Sequence, residues 1–260
     1  MTKSSWPPQP NEESRKFWAE QERKKNKPRS KSALDGILND AKKAFAPGIA
    51  TGFDSLDKAV RLSPGRLIIL GARPGIGKTT LATQIAAQVL QGHKYGTVLY
   101  CSVEMDAAEI GLKALSCISG FNCITPYEEE DETMIEHVST QATFAANTLA
   151  RLEVLYGMSL EDADRHSRDI DDPLLLIVID FITSIQPIGE YATKSEAVGS
   201  VSRALKALAK RLQVPVLCCA QLNRATAAGK VPTMKDLRDS GEIEQDADTV
   251  LILHRSSTRD

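Results

Sequence analysis

An α/β fold, with a mostly parallel central sheet covered by helices on both faces, is what this sequence predicts. Three observations carry that reading. Short apolar runs alternate with stretches of helical spacing from Gly48 onward, and a glycine-rich turn stands where the first of these runs hands over to a helix. The run Leu174–Ile179 is apolar at every position, as a central parallel strand buried on both faces must be.

The elements follow in order. Arg66–Leu70 reads as a short buried strand, followed by the glycine turn and a helix over Lys78–Gln91. Thr97–Cys101 is a second strand and Ala107–Ile118 a second helix. Leu174–Ile179 is the third strand, and Lys194–Leu212 is an amphipathic helix. Its Val198, Val201, Leu205, Leu208 and Leu212 turn inward, with Arg203, Lys206 and Lys210 outward. Val214–Ala220 and Thr249–Leu253 complete a set of five strands. Residues 120–172 show the weakest pattern, with Glu128–Glu132 reading as an exposed acidic loop.

Upstream of this α/β domain, which spans 48–260, two segments differ in character. Residues 1–30 are rich in Pro, Asn, Ser and charge and read as a solvated, disordered tail, with a basic stretch from Arg23 to Arg29 that could also serve as an arm toward DNA or a partner. Over 31–47 the apolar positions Leu34, Ile37, Leu38, Ala41 and Phe45 follow helical spacing, which predicts a linker helix stopped by Pro47-Gly48.

Charge and composition exclude several classes. With a formal net charge of -2 the chain has no global basic field, so any contact with nucleic acid must be local, through a loop or channel. Five cysteines without a CxxC pair or His/Cys ligand spacing indicate free thiols in a reducing, cytosolic setting. The opening residues carry no apolar leader, and the longest apolar run, Leu174 to Ile182, is interrupted by Asp180 and too short to cross a bilayer. The expectation is a cytoplasmic protein without a membrane partner.

The sharpest chemical signal is Ala72-Arg73-Pro74-Gly75-Ile76-Gly77-Lys78-Thr79, followed by Thr80. At a strand-to-helix turn, successive backbone N–H groups form a nest around phosphates, and the helix N-terminus adds its positive dipole. Gly75 and Gly77 allow the backbone angles and close approach such a nest needs. Lys78 is placed for the β- and γ-phosphates of ATP and the Thr79 hydroxyl for Mg²⁺. Ala72 stands where the general pattern has glycine. Asp180, at the C-terminal end of the third strand, is the second candidate Mg²⁺ group. Glu104, just past the second strand, is a candidate base for the attacking water. Gln221, past the fourth, could hydrogen-bond a γ-phosphate. Taken singly, Glu104 also suits a helix N-terminus and Gln221 an ordinary polar loop.

Together these stretches resemble the C-terminal ATPase domain of DnaB-like replicative helicases. The resemblance runs through Thr51–Asp57, the phosphate loop, Ser102–Met105, Ile177–Phe181, Gln221–Arg224 and, most specifically, Asp236–Asp248. It extends from about Gly48 to Arg255, in the family's order and spacing. It implies a RecA-like P-loop NTPase fold over 48–260, a hexameric ring and ATP-driven movement along single-stranded DNA. It further implies Glu104 as catalytic base and Gln221 as γ-phosphate sensor. The DNA-gripping role falls on the loop carrying Arg238, Asp239 and Gly241, where one arginine and backbone N–H groups can hold phosphates without reading bases. Read from its residues alone, that loop could instead be a capping turn built on Thr233 and Asp236. Primase and a helicase loader are the partners implied. Two departures accompany the resemblance. The tail over 1–30 is too short and polar for the family's primase-binding N-terminal domain, and the family's arginine finger lies on a segment beyond Asp260. An alternative within the same class is a DnaB- or RecA-like DNA-dependent ATPase that acts as accessory, loader or recombination factor without unwinding DNA itself.

Overall fold

The computed structural model describes residues 48–124, 132–157, 159–185, 191, 193–222, 231–237 and 240–255. The predicted tail over 1–30 and linker helix over 31–47 lie outside the described residues. The elements are α1 (Asp54–Asp57), β1 (Leu67–Ala72), α2 (Lys78–Gly92), β2 (Thr97–Ser102), α3 (Ala107–Ser119), α4 (Glu132–Leu149), β3 (Leu152–Tyr156), α5 (Leu160–Asp169), β4 (Leu174–Asp180), α6 (Lys194–Leu212), β5 (Val216–Gln221), α7 (Ser240–Asp246) and β6 (Thr249–Leu253). Short 3₁₀ turns follow β4 at Ile182–Ser184 and precede α7 at Met234–Asp236. Among the described residues no helix is long and apolar enough to cross a membrane.

All pairings between these strands are parallel, in the order β3-β2-β4-β5-β1-β6. The predicted α/β class holds, and the sheet has six strands where the sequence pattern suggested five. The additional one is β3, which pairs with β2 alone at the sheet edge and is half-buried along most of its length. Glu153, its second residue, breaks the apolar run, so the pattern does not mark it as a strand. The helices α4 and α5 fall in the same weakly patterned stretch.

Burial on both faces makes the strands sort their residues by parity. Leu67 and Ile69, Leu99, Ile177 and Ile179, and Val216 and Cys218 join the layer of α5 and α6, with Leu160, Val201 and Leu205. Ile68 and Leu70, Val98 and Tyr100, Leu176 and Val178, and Leu217 and Cys219 join the layer of α2 and α3, with Ile85, Leu90 and Ile110. Both layers are nearly dry, and each fully buried Leu or Ile is worth about 1.5–3 kcal/mol.

Specific polar ties hold the ends. Arg151, just before β3, donates to the carbonyls of Leu90 (2.7 Å), His93 (3.0 Å) and Gly96 (3.1 Å) at the close of α2. The Leu90 carbonyl is one that a helix end leaves without a partner, and those of His93 and Gly96 lie in the turn leading to β2. Asp57 accepts from Thr51 N (2.6 Å), Thr51 Oγ1 (2.8 Å) and Gly52 N (3.2 Å), which closes the loop ahead of β1 into a knot. Burial pushes that carboxyl up, but these hydrogen bonds outweigh it and hold it below the ordinary carboxylate range.

Asp248, at the foot of β6, binds Leu67 N (2.7 Å) and Arg66 Nη1 (2.8 Å) at the start of β1 and pairs with Lys206 of α6. Its side chain is 15% exposed, so the Lys206 and Leu67 contacts count for more than the Arg66 arm, whose side chain is half exposed. Burial raises this carboxyl too, yet Lys206, Arg66 and the Leu67 N–H together draw it below its ordinary value. A lowered folded value means that the stabilisation is complete above the unfolded value and is lost as pH falls through the folded one. Asp248→Ala is therefore expected to cost about 2 kcal/mol at neutral pH, the usual worth of hydrogen bonds to a charged group. Thermal melts of both proteins should show a constant gap in Tm above about pH 5 that closes as pH drops below about 4.

Candidate functional site: the cleft at the strand ends

Parallel strands bring their C-terminal ends to one edge, which is where open sheets of this kind hold ligands. The register aligns those ends: Ser102 of β2 lies beside Asp180 of β4, and Ala72 of β1 beside Gln221 of β5. Parity does the rest. Ser102, Asp180 and Gln221 each follow by two residues Tyr100, Val178 and Cys219, so they belong to the layer of α2, the helix that the phosphate loop opens.

The loop itself spans Arg73–Gly77. Gly75 and Gly77 have φ of +75° and +105°, and a Cβ built on either would stand in open space. Glycine is needed there for the backbone angle and to leave the concavity unfilled. The Ile76 N–H turns inward to the Arg73 carbonyl at 3.3 Å. The bond from Leu81 N–H to Gly77 O (2.9 Å) is the first i→i−4 bond of α2. The N–H groups of Lys78, Thr79 and Thr80 stand ahead of it without helical acceptors. No acidic residue occupies the first turn.

Around this loop lies a cleft of about 440 Å³, lined by Ala72, Arg73, Pro74, Gly75, Gly77, Lys78, Thr79, Thr80, Glu104, Phe181 and Gln221. That volume falls within the roughly 300–1,000 Å³ usual for small-molecule sites. The structure thus gathers Glu104, Lys78, Gln221 and the phosphate-loop residues on one cleft. Ile76 is the member of the predicted loop set outside the lining, and Asp180 sits behind Lys78 rather than on the surface.

Lys78 Nζ lies 3.5 Å from Asp180 Oδ1 and 4.3 Å from the centre of the Phe181 ring. The peptide bond between Asp180 and Phe181 is cis. Asp180 is buried, and its Oδ1 has no hydrogen-bond partner. A buried carboxylate oxygen with an open coordination site, close to the helix start that carries the Thr79 hydroxyl, fits the donor set of a hard cation such as Mg²⁺. The other oxygen, Oδ2, accepts from Tyr100 OH at 3.3 Å, and Tyr100 OH accepts from Thr83 Oγ1 at 3.3 Å. Burial first, and the neighbouring Asp180 charge second, push the Tyr100 phenol well above its ordinary value, so it remains a donor. Burial likewise pushes Cys101 up to about 12 and raises Cys218, and burial together with the neighbouring Asp180 raises Cys219, which keeps these thiols protonated and unreactive.

Glu104 is exposed, and its position comes from its neighbours. Val103 N–H donates to Asp180 O (3.1 Å), Met105 N–H to Ser102 Oγ (3.0 Å), and Asp106 forms a capping box with Glu109 at the start of α3. Three anchored residues thus fix the turn from which Glu104 reaches the cleft. Leu222 N–H binds Ala72 O (3.0 Å), which pins Gln221 against the phosphate loop.

Sequence reasoning did not single out Phe181, Tyr100 or Thr83 as site residues. Phe181 could have been found from its place directly after Asp180, whereas Tyr100 and Thr83 looked like interior positions of a strand and a helix. Of the predicted DNA-contacting residues, Arg238 and Asp239 lie outside the described residues. Gly241 lies in α7, with open space where a Cβ would be. Just upstream, Thr233 and Asp236 do form a capping box around the 3₁₀ turn. Leu237 then buries itself over Gly71 of β1, where a Cβ would come within 2.9 Å of it.

Known proteins resemble this chain in both sequence and fold. Residues 48–260 match the model of the DnaB-like helicase C terminal domain. The replicative DNA helicase DnaB of Leifsonia xyli subsp. xyli is 34% identical over 236 residues, 86% of this chain and 50% of that protein. That of Pasteurella multocida is 35% identical over 218 residues, 80% and 46% of the two chains. The probable plasmid replicative DNA helicase of Chlamydia muridarum is 33% identical over 225 residues, 83% and 49%. The chain therefore spans about half the length of these relatives. In fold it is similar to a DnaB-like replicative helicase described with its interactions with primase, at a TM-score of 0.74 and 22% identity over 94% of this chain and 63% of that one. It is also similar to a second solved structure, an ATPase domain, at a TM-score of 0.69 and 21% identity over 86% and 82%. The phosphate-loop cleft, the RecA-like parallel sheet and these matches lead to one assignment: the chain belongs to the DnaB-like helicase C terminal domain family.

Proposed function

We propose that this chain is the motor portion of a replicative DNA helicase, hydrolysing ATP with Mg²⁺ to move along single-stranded DNA. The observation that carries the reading is the meeting of Lys78, Glu104 and Gln221 on one cleft, with the Asp180 carboxylate directly behind Lys78. In this reading the N–H groups at the start of α2 cradle the phosphates, and Lys78 leaves Asp180 to bind the β- and γ-oxygens. Thr79 and Asp180 would hold Mg²⁺, which supplies neutralisation of charge on the transferring phosphoryl group. Glu104 orients a water and takes its proton as the water oxygen bonds to the γ-phosphorus. The bond to the bridging oxygen then breaks, leaving ADP and phosphate. Gln221 hydrogen-bonds the γ-phosphate and loses that partner on release.

Family membership supports a DNA-facing role for the chain. The working form is a hexameric ring in the cytoplasm, with single-stranded DNA in the channel and primase and a loader as partners. Arg238 neutralises one backbone phosphate per subunit, with Asp239 and Gly241 shaping the loop for close approach. Displacement of a strand from a forked duplex separates this motor from an ATPase that only assists one.

Lys78→Ala should abolish ATP binding in calorimetry, and unchanged affinity would refute the site. Glu104→Gln should bind ATP normally while phosphate release slows by about two to four orders of magnitude, the usual worth of a general base. Arg238→Ala should weaken poly-dT binding at every salt concentration. It should also lower the slope of log K against log salt by about 0.7 per engaged subunit, as read by fluorescence titration.

A further inference from the structure

We propose that Tyr100 and Thr83 are positioning residues for the Asp180 carboxylate, a hydroxyl bridge that keeps one of its oxygens presented to a divalent cation. The proposal rests on the reading of the cleft as an ATP–Mg²⁺ site.

The direction of the bridge is forced by its chemistry. An ionised carboxylate only accepts, so Tyr100 OH must donate to Asp180 Oδ2, and the phenol oxygen is then left to accept from Thr83 Oγ1. Thr83 lies one turn beyond Thr79 on α2, so the two hydroxyls share a face of that helix. The bridge thereby ties the strand carrying Asp180 to the helix carrying Thr79. Tyr100 and Thr83 are fully buried and Asp180 is 5% exposed, so water does not compete for these groups.

A hydroxyl at this place has no packing rationale. In the sheet Tyr100 stands between Val154 and Val178, and apart from Thr83, Asp180 and Cys219 its layer is apolar, so a phenylalanine there would avoid the cost of burying a hydroxyl. At 3.3 Å each contact is longer than the usual ~2.7 Å of an O–H···O bond, so orientation rather than binding strength is what the phenol contributes. The orientation matters because the terminal torsion of an Asp side chain is soft. Lys78, 3.5 Å from Oδ1, competes for the same carboxylate. Without the phenol the carboxylate is free to rotate about that torsion, which takes its open oxygen out of the cation's reach.

The test is a titration of Mg²⁺ into the full chain with methylanthraniloyl-ADP, read by fluorescence, with a parallel series in EDTA. Tyr100→Phe should raise the Mg²⁺ concentration for half-maximal tight binding about tenfold, the lower end of what removing a group that orients a metal ligand costs. Its metal-free nucleotide affinity should stay within about twofold and its melting temperature should hold, since the ring and its packing remain. Thr83→Val, which leaves the phenol in place but undirected, should shift the Mg²⁺ requirement the same way by about threefold, a fraction of that range. An unchanged Mg²⁺ requirement in Tyr100→Phe overturns the proposal. If that variant does not fold, an unchanged requirement in Thr83→Val overturns it. Failure of the unaltered chain to bind the nucleotide in Mg²⁺ would instead overturn the reading of the cleft.

Discussion

Two-sided burial of a parallel sheet is the constraint on which the remaining structure rests. A strand with helices on both faces has no solvent side, so its residues divide between two cores by whether their position is odd or even. That division fixes more than packing. Once Leu176 and Val178 are committed to the α2 layer, Asp180 has to point that way as well, and the same count carries β2 to Ser102 and β5 to Gln221. The functional groups inherit their direction from the apolar residues beneath them. An inserted residue anywhere within β4 would turn Asp180 toward the α6 layer and away from Lys78.

Beyond the strand tips the chain leaves the sheet, and there the geometry depends on a few hydrogen bonds to neighbouring strand ends. Val103 and Met105 lean on Asp180 and Ser102, while Leu222 leans on Ala72. Each of these bonds is worth only about 1 kcal/mol, yet together they convert the loops into extensions of the sheet. This explains how an exposed residue such as Glu104 can be held in place without packing of its own.

The sequence disclosed the parts whose chemistry is local. Gly75, Gly77 and Lys78 announce their role by spacing, and the fully buried strands announce theirs by unbroken apolarity. The helix over Lys194–Leu212 was legible to the residue because its period is clean and Thr193 and Glu196 cap it. What stayed hidden depends on contacts distant in sequence. The strand β3 is an edge element whose pattern is diluted by Glu153, and only pairing with β2 defines it. Tyr100 reads as one more strand aromatic until Asp180, far along the chain, comes within reach of its hydroxyl. Phe181 reads as the tail of an apolar run until Lys78 settles over its ring.

The arrangement at the far end of α2 has an electrostatic consequence for the near end. A helix of this length carries about half an elementary charge of each sign at its two ends. Arg151 sets a guanidinium against the negative end, bonded to Leu90 and to the His93 carbonyl just past it. The positive end carries no compensating carboxylate in its first turn. The helix is thus neutralised at the rear and left unbalanced at the front, a built-in partial cation aimed into the cleft. A bound anion completes the helix's charge pattern as well as filling its cradle.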